Sequence, residues 1–110
     1  MAKAPSEFVL YVEDALRGLG PVERSRFFGG WCFAMRGARF AYVLRDRLWF
    51  PVDEPLREAL VAEGCGPFDY EKGGRTITVA KFHEAPSACL DDPEALLEWA
   101  ARAARAAGAM

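Results

Sequence analysis

Residues 24–53, RSRFFGGWCFAMRGARFAYVLRDRLWFPVD, constrain the fold of this chain more than any other part of its sequence. Short apolar runs alternate there with turn-forming residues, which predicts a tight antiparallel meander of three strands. Because side chains of a strand alternate between the two faces of a sheet, both faces of this meander are largely apolar. A sheet with two apolar faces has to be covered on both sides, by helices or by a second protein chain.

Two predicted turns set the register of this meander. A two-residue turn at Gly37-Ala38 pairs Met35 with Phe40, and a three-residue turn at residues 45–47 then places Tyr42 opposite Phe50. In this register one face holds nine large apolar residues: Trp31, Phe33, Met35, Phe40, Tyr42, Leu44, Leu48, Phe50 and Val52. The second face holds Cys32, Ala34, Ala41, Val43, Trp49 and Pro51. A one-residue slip would exchange the two faces, so both turns have to be right.

The second face is the candidate interaction surface. A specific interface typically hides about 800 Å² on each partner, and a sheet face with so little charge can supply that area. We therefore predict that a partner contacts Cys32, Ala34, Ala41, Val43 and Trp49, with Arg36 and Arg39 at the end of the hairpin.

Helix signals flank the predicted strands. Ser6 predicts the N-cap of a first helix, Asp53 opens a second, and Asp92 followed by proline opens a third. Between the second and third helices, a turn at Gly73-Gly74 predicts another hairpin with one polar face. The predicted fold is therefore α+β, with an antiparallel sheet of five or six strands and three helices. The order is helix, meander, helix, hairpin, helix.

Length and composition predict a single domain spanning residues 1–110. Apolar residues make up 52% of the chain, yet no apolar run approaches the roughly 20 residues that span a bilayer. The first residues, MAKAPSE, lack the pattern of a signal peptide, which predicts a cytoplasmic protein. The three cysteines at positions 32, 65 and 89 lack close spacing, so we expect reduced thiols.

The charge pattern argues against a dedicated nucleic-acid binder. The formal net charge is −2, although residues 24–47 contain six arginines and one acidic residue. The meander separates these arginines, because six strand residues at about 3.3 Å each put its ends roughly 20 Å apart. We interpret them as solvated turn residues. The alternative is direct nucleic-acid binding through a phosphate-binding patch, which would weaken steeply with salt.

The sequence offers little for catalysis or for a metal. His83 is the only histidine, and no cysteine lies near it with the spacing of a zinc site. We predict no catalytic residue, cofactor or metal. The runner-up function is a small-ligand-binding domain or a minor enzyme, with a pocket between sheet and helices near His83, Glu84 and Tyr70.

Dispersed segments in a fixed order carry a family resemblance over residues 5–105. They are residues 27–31 (FFGGW), 39–41 (RFA), 48–53 (LWFPVD), 67–70 (PFDY) and 90–94 (LDDPE), followed by Trp99. In these segments the chain resembles the N-terminal domain of the TfoX/Sxy competence regulators. Phe27 replaces the methionine that commonly opens the family's first signature.

The resemblance implies a fold and a function. The fold would be similar to secretion-chaperone-like α+β domains, which are often dimeric. Full-length regulators of this family are thought to act with the cyclic-AMP receptor protein at promoters, and they carry a C-terminal helical domain. Because this chain ends at Met110, we expect a stand-alone domain. We expect a non-enzymatic protein-interaction domain that forms a homodimer. It would regulate transcription or competence, with a transcription factor or polymerase as partner.

Overall fold

The computed structural model describes residues 4–110, and its elements follow the predicted order. They are α1 (Glu7–Leu16), β1 (Glu23–Phe27), β2 (Gly30–Met35), β3 (Ala38–Leu44), β4 (Arg47–Pro51), α2 (Glu54–Ala62), β5 (Pro67–Lys72), β6 (Arg75–Glu84) and α3 (Pro93–Ala106). Short 3₁₀ helices occupy Arg17–Leu19 and Ser87–Leu90. The six strands form one antiparallel sheet in the order β1-β2-β3-β4-β6-β5. The predicted α+β class and the number of helices are confirmed.

Each α-helix begins at the residue that the sequence indicates. The Ser6 hydroxyl accepts a hydrogen bond from the Val9 amide at 3.2 Å, and Asp53 accepts one from the Leu56 amide at 3.0 Å. Asp92 accepts from the amide of Glu94 at 3.0 Å. These side chains satisfy amide groups that have no partner within the first turn of a helix, which fixes where each helix starts.

All four hairpins use two-residue turns whose central residues both have positive φ. The φ values are 45° and 74° for Phe28-Gly29, 52° and 78° for Arg36-Gly37, 55° and 56° for Arg45-Asp46, and 60° and 77° for Gly73-Gly74. These are turns of the I′ kind, whose twist matches that of the flanking strands. The Gly73-Gly74 turn is confirmed. The turns predicted at Gly37-Ala38 and at residues 45–47 are wrong by one residue.

A β-bulge in β3 corrects the predicted faces of that strand. Ala34 is opposite Arg39 but Phe33 is opposite Ala41, so Phe40 is an extra residue in the ladder. Beyond the bulge the alternation is reversed. Ala41 and Val43 therefore face the helices, and Tyr42 and Leu44 lie on the second face. Cys32 and Trp49 lie on the second face as predicted.

The main core lies between one face of the sheet and all three helices. Its largest buried side chains from the sheet are Phe33, Phe40, Leu48 and Phe50. The helices contribute Val9, Val12, Leu16, Leu56, Leu60, Leu96, Ala100, Ala103 and Ala104. Alanine on α3 lets that helix lie close to the sheet. Among residues 4–110, no helix is long and apolar enough to cross a bilayer.

Candidate interaction surface

The face of the sheet away from the helices carries a second apolar cluster, here called the aromatic face. It consists of Phe27, Cys32, Tyr42, Leu44, Trp49, Phe68 and Phe82. All six strands contribute to it, and none of these residues belongs to a helix. The prediction that the sheet would be apolar on both faces is confirmed, but the helices cover only one of them.

The sheet curls around the aromatic face until distant strands touch. Strands β1 and β6 are four positions apart in the sheet, which would separate them by about 19 Å if it were flat. The ring centroids of Phe27 and Phe82 are nevertheless 6.5 Å apart. Tyr42 lies between them, at 4.8 Å from Phe27 and 4.5 Å from Phe82. The strong right-handed twist of the sheet is what allows such curling.

The curled sheet buries the centre of its own aromatic face. Tyr42 is 6% exposed and Trp49 is 7% exposed, although no helix lies above them. The Trp49 ring meets Phe68 edge to face at 5.0 Å, and its Nε1 donates a hydrogen bond to the Leu44 carbonyl oxygen at 3.2 Å. The Cys32 thiol and the Ser25 hydroxyl are hydrogen-bonded at 3.1 Å. The aromatic face is therefore a second small core.

Phe28 protrudes from the rim of the aromatic face. It is the first central residue of the β1–β2 turn, and 89% of it is exposed. Its ring packs edge to face with that of Phe27, with centroids 4.8 Å apart. A positive φ is rare for a bulky residue and costs about 1–2 kcal/mol. The turn Phe28-Gly29, here called the Phe28 tip, thus combines backbone strain with an exposed apolar ring.

Two arginines lie against rings at opposite sides of the aromatic face. The guanidinium carbon of Arg39 is 5.5 Å from the centre of the Phe27 ring, and that of Arg45 is 5.2 Å from the centre of the Phe68 ring. Arg45 also donates a hydrogen bond to the Asp69 carbonyl oxygen at 3.1 Å. Such cation–π contacts hold the two positive charges at the margin of the apolar surface.

The residues predicted for the interaction surface lie on different faces of the sheet and differ in exposure. Cys32 and Trp49 lie on the expected face but are buried, and Ala34 is half-buried. The predicted face of Ala41 and Val43 is wrong, because the bulge turns both toward the helices. Arg36 and Arg39 are exposed.

Sequence reasoning missed Phe28 as a surface residue. A two-residue turn preceding the strand 30–35 has to use Phe28-Gly29, and this turn would have placed the ring in solvent. That signal was available in the sequence. The pair of glycines at 29 and 30 instead favours a turn one residue later in the chain.

The residues of the runner-up ligand pocket do not meet. His83 pairs with Phe50 on the helix side of the sheet and is 4% exposed. Glu84 forms an ion pair with Arg47 at 3.3 Å and lies on the other face, opposite Trp49. Tyr70 is near Phe68, with ring centroids 6.2 Å apart, and so also belongs to that side. The sheet therefore separates the histidine from the two groups predicted to share its pocket.

All three cysteines are free thiols, and the environments of Cys65 and Cys89 oppose ionisation. Burial, reinforced by Glu84 and Glu63, raises the pKa of Cys65. Burial raises the pKa of Cys89 to about 12, with contributions from Cys65 and Asp92. A reactive cysteine requires a lowered pKa, because the thiolate is the nucleophile. Within residues 4–110, no group of three or more potential ligands could hold a metal ion.

We expect His83 to make folding sensitive to mild acid. Burial, followed by the nearby Arg57 guanidinium, lowers the pKa of His83 below its ordinary 6.5, and its buried Nδ1 has no hydrogen-bond partner. As the pH falls through that ordinary value, the unfolded chain gains a proton that the folded chain does not. The free energy of unfolding should therefore decrease from pH 7.5 to pH 5.5.

The variant His83→Phe should remove most of this dependence, since the chain has one histidine and its carboxylates titrate mainly at lower pH. Urea denaturation of both proteins at several pH values measures the effect. An equal loss of stability in the two proteins would show that another group is responsible.

Comparison with known proteins gives one family. The family model described as the TfoX N-terminal domain matches residues 14–107. This range is nearly the whole chain and includes every strand. No curated protein matches the sequence.

Proposed function

The chain belongs to the TfoX N-terminal domain family, and from this premise we propose that it is a non-enzymatic interaction domain that regulates transcription and competence in the cytoplasm. The family match supports a competence-associated domain. The observation that carries the interaction role is the Phe28 tip, where an aromatic ring is 89% exposed in a strained turn beside the aromatic face.

Several features support a binding role over a catalytic one. A strained residue with an exposed apolar ring lowers the stability of the free protein, and such residues concentrate at functional sites. Aromatic side chains are also among the residues that contribute most to binding at protein interfaces. By contrast, His83 is buried on the opposite side of the sheet from Glu84, and the pKa values of Cys65 and Cys89 are raised.

Affinity capture of the tagged chain from its native lysate, with and without nuclease, tests this function. We expect a stoichiometric transcription factor or polymerase subunit that survives nuclease treatment. Phe28→Asn should reduce its recovery at least about tenfold, because an anchor ring at an interface is worth about 1–2 kcal/mol or more. The control is Val61→Ala, which removes an apolar side chain that is 51% exposed on α2.

Phe28→Asn should leave folding intact, so that lost capture reports lost binding. Asparagine adopts positive φ more readily than phenylalanine, which offsets the loss of the ring contact with Phe27, worth about 0.5–1.5 kcal/mol. We expect a free energy of unfolding within about 1 kcal/mol of the wild type, measured by urea denaturation. Recovery of only the chain itself, from wild type and control alike, would reject the proposed function.

The homodimer inferred from the sequence remains a proposal. The sequence suggested a dimer because the second apolar face needs a cover. A single chain, however, already buries Tyr42 and Trp49 on that face. The unpaired edges of β1 and β5 are further surfaces that a second copy could use. Static light scattering at micromolar concentration tests this proposal. A mass of twice the 12.2 kDa of one chain supports the dimer, and a mass of 12.2 kDa rejects it.

A further inference from the structure

We propose that the Phe28 tip inserts into an apolar pocket with an acidic rim on a folded partner protein. This inference rests on the proposed function and specifies the chemistry of the partner. It follows from the shape of the tip and from the arginines on the aromatic face beside it.

The shape of the tip requires a concave partner. Phe28 lies at the end of a hairpin, and the next two residues are glycines without side chains that could shield the ring. Nothing lies within 4 Å of the position that a Cβ of Gly29 would take. A protruding ring with free space beside it gains most binding energy when a pocket surrounds it and excludes water.

The arginines at the margin of the aromatic face favour an acidic rim. Arg39 and Arg45 lie over Phe27 and Phe68, and neither has a carboxylate partner among residues 4–110. Arg47 differs, because Glu84 already balances its charge at 3.3 Å. Arg39 lies over Phe27, whose ring is 4.8 Å from that of Phe28, and Arg45 lies on the same face against Phe68. Two uncompensated guanidinium groups on the surface that carries an apolar anchor match carboxylates around an apolar pocket.

A nucleic acid fits this surface less well. Single strands bind when successive bases stack on several exposed ring faces. Here Tyr42 and Trp49 are buried, and Phe27, Phe68 and Phe82 are half-buried against one another or against those two rings. Of the six rings on this side of the sheet named here, Phe28 is the one that is largely exposed. Successive bases would therefore lack a stacking platform.

A second copy of the chain also fits poorly as the occupant. Two surface cavities of about 310 and 280 Å³ are present within the described residues. Arg26 and Arg45 line the first together with Asp46, and Arg102 and Arg105 line the second together with Asp53. The first cavity contains Arg45, which has no carboxylate partner among the described residues, and the second has two arginines for one aspartate. Each would therefore place positive charge against Arg39 and Arg45 of the inserting copy.

Site-specific photo-crosslinking tests the inference on the full chain in its native cells. The photoreactive residue p-benzoylphenylalanine replaces Phe28, and in a control it replaces Val61 on α2. We expect a protein adduct from position 28 and none from position 61. Mass spectrometry of the crosslinked peptide should place the contact beside aspartate or glutamate residues.

Charge reversal supplies the second measurement. Arg39→Glu combined with Arg45→Glu should lower the yield of the adduct at least tenfold. Lys72→Glu combined with Arg75→Glu makes the same change in net charge at the β5–β6 turn and should leave the yield within twofold. Circular dichroism checks that both double variants are folded.

The following outcomes would overturn the inference. An adduct with nucleic acid, an adduct between two copies of this chain, or an adduct insensitive to the arginine reversal would identify a different occupant. If affinity capture yields a partner but position 28 gives no adduct, the proposed function stands and the role of the Phe28 tip is rejected. If capture itself yields no partner, the proposed function fails first.

Discussion

Gly30→Ala is expected to lower the free energy of unfolding by at least about 3 kcal/mol, or to prevent folding. A Cβ at this position would lie 2.1 Å from the carbonyl oxygen of Val43 and 3.0 Å from a methyl group of Leu44. The oxygen belongs to the backbone of the neighbouring strand and cannot move without disrupting the ladder between β2 and β3. Glycine is required here for close approach between strands rather than for an unusual φ.

Gly66→Ala is the matched control for this substitution. Nothing lies within 4 Å of the position that its Cβ would take, and it has no positive φ. We expect a change of less than about 0.5 kcal/mol, as for most surface substitutions. Urea denaturation measures both variants. Equal stability of the two variants would mean that β2 and β3 can separate at Gly30 at little cost.

Trp49→Ala is expected to cost about 3–4 kcal/mol, a loss typical of a large aromatic residue in a core. The residue is 7% exposed, packs against Phe68 and donates a hydrogen bond to Leu44. A flat sheet with an uncovered second face would expose this ring, and its removal would then cost little. The experiment therefore tests the curl of the sheet.

Trp99→Ala provides the comparison within the same protein. Trp99 is half-buried on α3, and its ring lies under the guanidinium group of Arg102 at 4.9 Å. We expect it to cost no more than about half as much as Trp49→Ala, since less apolar area is lost from the interior. Guanidinium denaturation of both variants measures the difference. Similar losses for the two tryptophans would contradict a second core.

The helices could be predicted well because their signals are local. Ser6, Asp53 and Asp92 each cap the helix that follows, and the acceptor and the amide are at most three residues apart. The Gly73-Gly74 turn was similarly predictable, because two glycines accept positive φ at both central positions without strain. With that turn fixed, the pairing of Tyr70 with Ile77 followed.

The meander was harder because its turns use residues that disfavour left-handed backbone. Arg45 and Asp46 both have positive φ, and no glycine marks that turn. The bulge at Phe40 depends on packing across the sheet, since Phe40 and Ala41 both enter the main core. Neither Arg39 nor Ala41, the neighbours of Phe40 in the sequence, indicates a bulge at this position. The predicted faces of β2, β4 and Phe40 were therefore right, and those of residues 41–44 were wrong.

The interaction surface could be predicted only as a face of the sheet. The sequence indicated that Cys32 and Trp49 would lie away from the helices, which the structure confirms. Their burial could not be anticipated, because it depends on the approach of Phe27 to Phe82 across three intervening strands. The exposed side chains therefore lie at the rim of the face and not at its centre. They are Phe28, Arg39 and Arg45.

The contact between Phe27 and Phe82 also determines when the protein can finish folding during synthesis. The first four strands can pair as soon as they leave the ribosome, since each neighbours the next in the chain. Their rings nevertheless stay open to water until β6 emerges and supplies Phe82. Exposed apolar surface on such intermediates promotes aggregation. The nascent chain is therefore most vulnerable after β4 is made and before β6 docks beside it.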